Sequence, residues 1–276
     1  YTFVPLLAVE AIQTIALFFM IGMGVFGQGF VGKLAFPSAN VSDRLEKTFT
    51  SVNFNMMIMV IYALITIAIF GMWYYARYEG NFLPSPKKTF NPMMLVAIVI
   101  LVPGTQFAAN FIANLTGYIR PDWMQQYNEL FETSGITDTT FVTVLYSVIL
   151  APICEELIFR GVTMRCARKA LPFALANLMQ AALFGLFHLN WIQGIYAFAL
   201  GIVLGYVCER GGSIYYSMGL HLLFNLWGTL SGFFPDPGNS VVVFVIVIAV
   251  TIVSLVVGFV LFNKGRRKLP INSTGI

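Results

Sequence analysis

The feature that most constrains this chain is the recurrence of long apolar runs from one end to the other. A helix needs about 20 apolar residues to cross a bilayer. Runs of that order fall at about 3–27, 53–76, 92–117, 140–166, 172–189, 191–208, 213–234 and 240–262. In hydrocarbon every backbone N–H and C=O must find its partner inside the protein, so runs of this length span as helices. Of the 276 residues 58% are hydrophobic and 10% charged, where a soluble domain carries about 25% charged residues. The expected fold class is all-α: a polytopic transmembrane helix bundle of about eight spans, one integral-membrane domain over 1–276. Cys154, Cys166 and Cys208 show no paired spacing, so no disulfide framework is expected.

Basic residues orient the spans. Arg77, Lys87 and Lys88 follow the second run, and Arg165, Arg168 and Lys169 follow the fourth. Arg210 follows the sixth, and Lys264, Arg266, Arg267 and Lys268 follow the eighth. These are alternate loops, and an excess of lysine and arginine marks the cytoplasmic side. Both termini are expected there. The first loop fits this pattern least well, with Lys33, Arg44 and Lys47 against Asp43 and Glu46. The segment near 121–133 is too polar to span. Its Trp123, Tyr127, Leu130 and Phe131 share one helical face, which predicts a short interfacial helix. An ordinary loop helix packed on the spans is the other reading of the same pattern.

Charged and polar residues inside a bilayer are costly, about 2.5 kcal/mol or more each for a charge, and usually mark function. Here they are few. The fourth run carries Glu155, Glu156 and Arg160, the fifth His188, and the seventh His221 and Asn225; the chain has no histidine besides these two. Glu10, in the first run, remains unassigned. Counted from the basic turns at 1.5 Å per residue, Glu155 lies roughly 20 Å deep, His188 roughly 24 Å, and His221 and Asn225 roughly 12 and 18 Å. Three helices therefore bring polar groups to comparable depth.

Helix geometry separates the two acids. Glu156 and Arg160 are one turn apart in the favourable order for an ion pair. Glu155 is rotated about 100° from Glu156, so it faces elsewhere and is the freer carboxylate. His221 and Asn225 are also one turn apart. A carboxylate with an imidazole can activate water as a general base, and an imidazole beside an amide can hold an oxyanion. That set suits peptide hydrolysis without a serine or cysteine nucleophile. Taken singly, each feature has a bland structural reading: a helix tie for Glu156 and Arg160, interhelical hydrogen bonds for the histidines and Asn225.

Taken together they become specific. E-E-x-x-x-R occurs as Glu155–Arg160, F-x-x-x-H as Phe184–His188 and H-x-x-x-N as His221–Asn225, in that order on separate runs. Over about 140–230 the chain resembles the type II CAAX prenyl endopeptidases, also called CAAX proteases and bacteriocin-processing enzymes. The resemblance implies an intramembrane glutamate endopeptidase that cleaves near the C-terminus of membrane-associated substrates, prenylated CAAX proteins being the best-known case. It implies Glu155 as general base with His188 as its partner, His221 and Asn225 as the oxyanion hole, and Glu156, Arg160 and Phe184 in support. It implies no cofactor. The expected partners are a membrane-associated protein or peptide substrate, prenylated or not, and the lipid bilayer, but no nucleic acid. The expected location is a multi-pass protein of the plasma membrane in a prokaryote or of the endoplasmic reticulum in a eukaryote. Two other readings stay open. One is a zinc metalloprotease using Glu155, His188 and His221 as ligands; the other is a non-catalytic immunity or scaffold protein, or a transporter.

Overall fold

A computed structural model describes residues 3–25, 40–49, 52–78, 90–134, 140–231 and 240–266. Lys33, Lys87, Lys88, Arg267 and Lys268 lie outside them. Every regular element among the described residues is a helix. In chain order these are α1 (Val4–Val25), α2 (Val41–Phe49), α3 (Val52–Tyr78), α4 (Pro92–Ile119), α5 (Pro121–Ser134), α6 (Phe141–Arg168), α7 (Phe173–Phe187), α8 (Trp191–Gly211), α9 (Ile214–Ser231) and α10 (Val241–Gly265). Each apolar run thus becomes a helix. Six of them, α1, α3, α4, α6, α8 and α10, are long and apolar enough to cross a membrane. α7 is shorter, 15 residues, or about 22 Å at 1.5 Å per residue, less than the roughly 30 Å of hydrocarbon. It ends at Phe187, so His188 sits on a helix terminus instead of inside a span.

The basic turns share one end of the bundle. Arg168, at the end of α6, pairs with Glu209 near the end of α8 at 3.2 Å. Past the turn into α9, the Tyr216 hydroxyl accepts from the Asn91 N–H at 2.8 Å, while Asn91 Nδ2 donates to the Gly265 carbonyl at 2.9 Å. The C-terminal ends of α6, α8 and α10 and the start of α4 therefore lie on the same face. The opposite end carries α5. There Trp123 stacks on Trp191 at 5.2 Å, with Arg120 over the Trp123 ring at 4.3 Å. Trp123 thus packs on the first turn of α8, which sets this helix beside the His188–Asn190 turn.

Two apolar clusters hold the bundle. One joins α1, α3, α6 and α7 through residues such as Val9, Phe70, Ile158 and Leu183; the other joins α4, α8, α9 and α10 through Leu101, Leu204, Leu220 and Phe262. Lipid is as apolar as leucine, so close approach of small residues and interhelical hydrogen bonds carry much of the association. The antiparallel pair α7 and α8 shows this. A Cβ on Gly185 would lie 2.5 Å from the Gly194 carbonyl oxygen, one on Gly201 3.1 Å from Ala181, and one on Gly205 1.9 Å from Asn177 Oδ1.

Two spans carry an internal proline, and in each a neighbouring helix mends the break. A helical proline donates no N–H and leaves a carbonyl unserved. In α4, beside Pro103, the Ser254 hydroxyl of α10 accepts from the Gly104 N–H at 2.9 Å and donates to the Ile100 carbonyl. In α6 the ladder widens to i→i+5 spacing over Leu145–Leu150 and again over Leu157–Thr163. The Ala151 N–H reaches back to the Tyr146 carbonyl. The next carbonyl, Ser147, would be served by residue 152, which is proline. It accepts Asn225 Nδ2 from α9 instead, at 2.8 Å.

Candidate functional site

The polar residues meet between the two apolar clusters, on α6, α7 and α9. Glu156 and Arg160 are fully enclosed, and Arg160 Nη1 donates to Glu156 Oε1 at 2.8 Å. The pair therefore forms as its one-turn spacing predicts. The same carboxylate oxygen takes a second bond: His221 Nδ1 lies 3.0 Å from Glu156 Oε1. A carboxylate only accepts, so Nδ1 carries the hydrogen. That directs the other ring nitrogen, Nε2, at Glu155 Oε2, 3.6 Å away. One imidazole thus stands between two carboxylates of different character. The Glu156 side chain is 0% exposed and committed to Arg160, whereas that of Glu155 is 15% exposed. Glu155 is therefore the partly exposed carboxylate of the two.

His188 approaches from the end of α7. Its Nδ1 is 2.8 Å from the Phe184 carbonyl oxygen, which again puts the hydrogen on Nδ1 and leaves the Nε2 lone pair open. Among the described residues no ion pair joins His188 to Glu155; the ion pair shown for Glu155 is with His221. Leu189, the next residue, has φ of 53°, a conformation that costs a bulky L-residue about 1–2 kcal/mol. The turn that presents His188 is therefore held against local strain by the packing on either side. Phe184 binds the assembly together: its ring meets His188 at 4.9 Å and His221 at 5.8 Å, and the Arg160 guanidinium lies over it at 4.4 Å.

The structure brings Glu155, Glu156, Arg160, His221 and Phe184 into one contact group. It does not bring His221 and Asn225 onto one common partner, as their one-turn spacing allows. His221 is turned to the two acids, and Asn225 is half-buried with one amide hydrogen on the Ser147 carbonyl. The second amide hydrogen remains to donate elsewhere. Glu10 points outward from α1. Among the described residues no three His, Cys, Asp or Glu side chains converge as a metal-holding group.

Sequence reasoning missed three residues of this network. Ser147 offers only its backbone carbonyl, which no motif records; the signal was Pro152, a proline inside a span. Asn177 and Gln180 on α7 are buried amides that belong to none of the motifs. Two amides three residues apart on a short apolar helix were the available sign.

The helical bundle thus gathers paired carboxylates, imidazoles and an amide, side chains of the kind that can exchange protons. Residues 137–227 match the family model described as Type II CAAX prenyl endopeptidase Rce1-like. The matched segment is thus similar to a CAAX-type protease domain, in a chain whose described helices include six long and apolar enough to cross a membrane. No curated protein and no solved structure matches the chain.

Proposed function

We propose that the protein is an intramembrane glutamate endopeptidase acting near the C-terminus of membrane-associated substrates, prenylated CAAX peptides being the leading class. The observation that carries this reading is the division of labour between the adjacent acids. Glu156 is consumed by Arg160 and His221, while Glu155 is the partly open carboxylate facing His221. Glu155 takes a proton from water held by the free Nε2 of His188, and the hydroxide adds to the scissile carbonyl carbon. Negative charge then grows on the carbonyl oxygen. The second N–H of Asn225 is one donor available to it, and His221, entering the step as an imidazolium with hydrogen on both ring nitrogens, is the other. As the C–N bond breaks, Glu155 returns its proton to the leaving amine. Glu156, through Nδ1–H of His221, fixes the ring and stabilises its positive form.

The experiment is release of the C-terminal tripeptide from a farnesylated CAAX-ending peptide by purified protein in detergent, read by mass spectrometry. Glu155→Gln should abolish release with little change in thermal midpoint, because this side chain is not part of the buried ion pair. A Glu155→Gln protein that still cleaves overturns the reading. The zinc alternative is separated in the same assay: activity lost in strong chelator and restored by zinc would favour it.

A further inference from the structure

A chain of hydrogen bonds runs from the seam of α7 and α8 into the acid pair. Asn177 Nδ2 donates to the Ile202 carbonyl at 3.0 Å. Gln180 Nε2 spends both its hydrogens, one on Asn177 Oδ1 at 2.8 Å and one on the Gly201 carbonyl at 2.9 Å. That same Gly201 carbonyl accepts Arg160 Nη2 at 3.3 Å. Arg160 then bonds Glu156, Glu156 bonds His221, and His221 faces Glu155. Every side chain from Asn177 through His221 is buried. The close approach depends on glycine, since a Cβ at residue 205 would overlap Asn177 and also lie 2.7 Å from Gln180 Nε2.

We propose that Gln180, held in place by Asn177, is a positioning residue for hydrolysis: by occupying the Gly201 carbonyl it keeps Arg160 on Glu156. The two distances at Arg160 carry the reasoning. Its bond to Glu156 is short, 2.8 Å, and its bond to Gly201 is long, 3.3 Å. An oxygen already serving a better-placed donor competes weakly for the guanidinium. Removing the Gln180 amide frees that oxygen, and Arg160 moves towards it. Glu156 then loses its fixed place, His221 loses its orientation, and Nε2 no longer faces Glu155. Gln180 itself touches neither substrate nor reacting atoms.

This inference rests on the proposed function, so the test carries a control for each. The full chain is purified as wild type, Gln180→Met, Asn177→Leu, the double variant and Glu155→Gln. Cleavage of the farnesylated CAAX-ending peptide gives kcat and KM, and a thermal scan reports folding. Gln180→Met should lower kcat about 3- to 30-fold, the range of coupling through such networks, with KM unchanged. Asn177→Leu should lower kcat less, and the double variant no further than Gln180→Met alone, because both act through one bond. A Gln180→Met protein with wild-type kcat overturns the inference, as does a double variant whose loss is the product of the single losses, the behaviour of independent packing defects. If Gln180→Met does not fold, Gln180→Glu replaces it. Its carboxylate attracts Arg160 away from Glu156, so the same fall in kcat is expected in a folded protein, and full kcat overturns the inference. Turnover by Glu155→Gln would overturn the proposed function, whatever the Gln180 variants do.

Discussion

Glu156→Gln tests whether the buried acid is structural. In the native fold its Oε1 accepts from both Arg160 and His221, with acid and guanidinium fully enclosed. Removing one member of a buried ion pair typically costs about 3–5 kcal/mol, because the remaining charge is stranded out of water. Glutamine keeps an acceptor oxygen at the same reach, so the lower end, about 3 kcal/mol, is expected. At about 2–4 °C per kcal/mol this is a fall of about 6–12 °C in thermal midpoint. The assay is a thermal scan of purified protein in detergent, with residual cleavage measured on the folded fraction. Glu155→Gln is the internal comparison, one residue away and outside the buried pair. Restoring the balance supplies the sharper arm: Arg160→Met in the Glu156→Gln background should recover much of the lost stability, since the stranded cation is gone. An unshifted midpoint for Glu156→Gln would refute the reasoning. So would a double variant less stable than Glu156→Gln alone, because the penalty would then not come from an uncompensated charge.

Three further outcomes follow from the same geometry. Asn225→Ala should lower turnover by about 100- to 1000-fold if the second amide hydrogen meets the oxyanion; it should also lower the thermal midpoint, since the Ser147 carbonyl beside Pro152 loses its donor, and cleavage kinetics with a thermal scan read both. Gly205→Ala, whose new methyl would overlap Asn177 Oδ1, should cost about 1–3 kcal/mol as an overpacked contact, visible as a lowered midpoint that Gly219→Ala, with open space around it, does not show. Leu189→Gly should raise the midpoint, because glycine adopts a positive φ without the roughly 1–2 kcal/mol penalty; a lowered midpoint would mean that the exposed leucine side chain contributes more than its backbone costs.

The bundle was legible in the sequence because a bilayer enforces a simple rule. A segment that is apolar for some 20 residues has no partner for its backbone except itself, so it becomes a helix wherever it lies. The pairing of Glu156 with Arg160 was legible too, since residues four apart on a helix are neighbours whatever surrounds them. The sidedness of Arg168, Arg210 and Lys264 followed from loop charge and agrees with the contacts that tie Arg168 to Glu209 and Asn91 to Gly265. The partner of His221 was beyond reach. One-turn spacing shows that His221 and Asn225 can point together, but rotation about the α9 axis and the placing of α6 decide whether they do. In the fold His221 turns to the acids, because Glu156 offers a buried oxygen at 3.0 Å. Asn225 turns to Ser147, because a proline five residues on has left that carbonyl without a donor. Likewise the importance of Gln180 depends on the carbonyl of a glycine on the next helix, a group every residue carries and no sequence pattern can single out. Local spacing is written in the chain. Which backbone atoms are left wanting, and which side chain from another helix reaches them, is decided only when the helices pack.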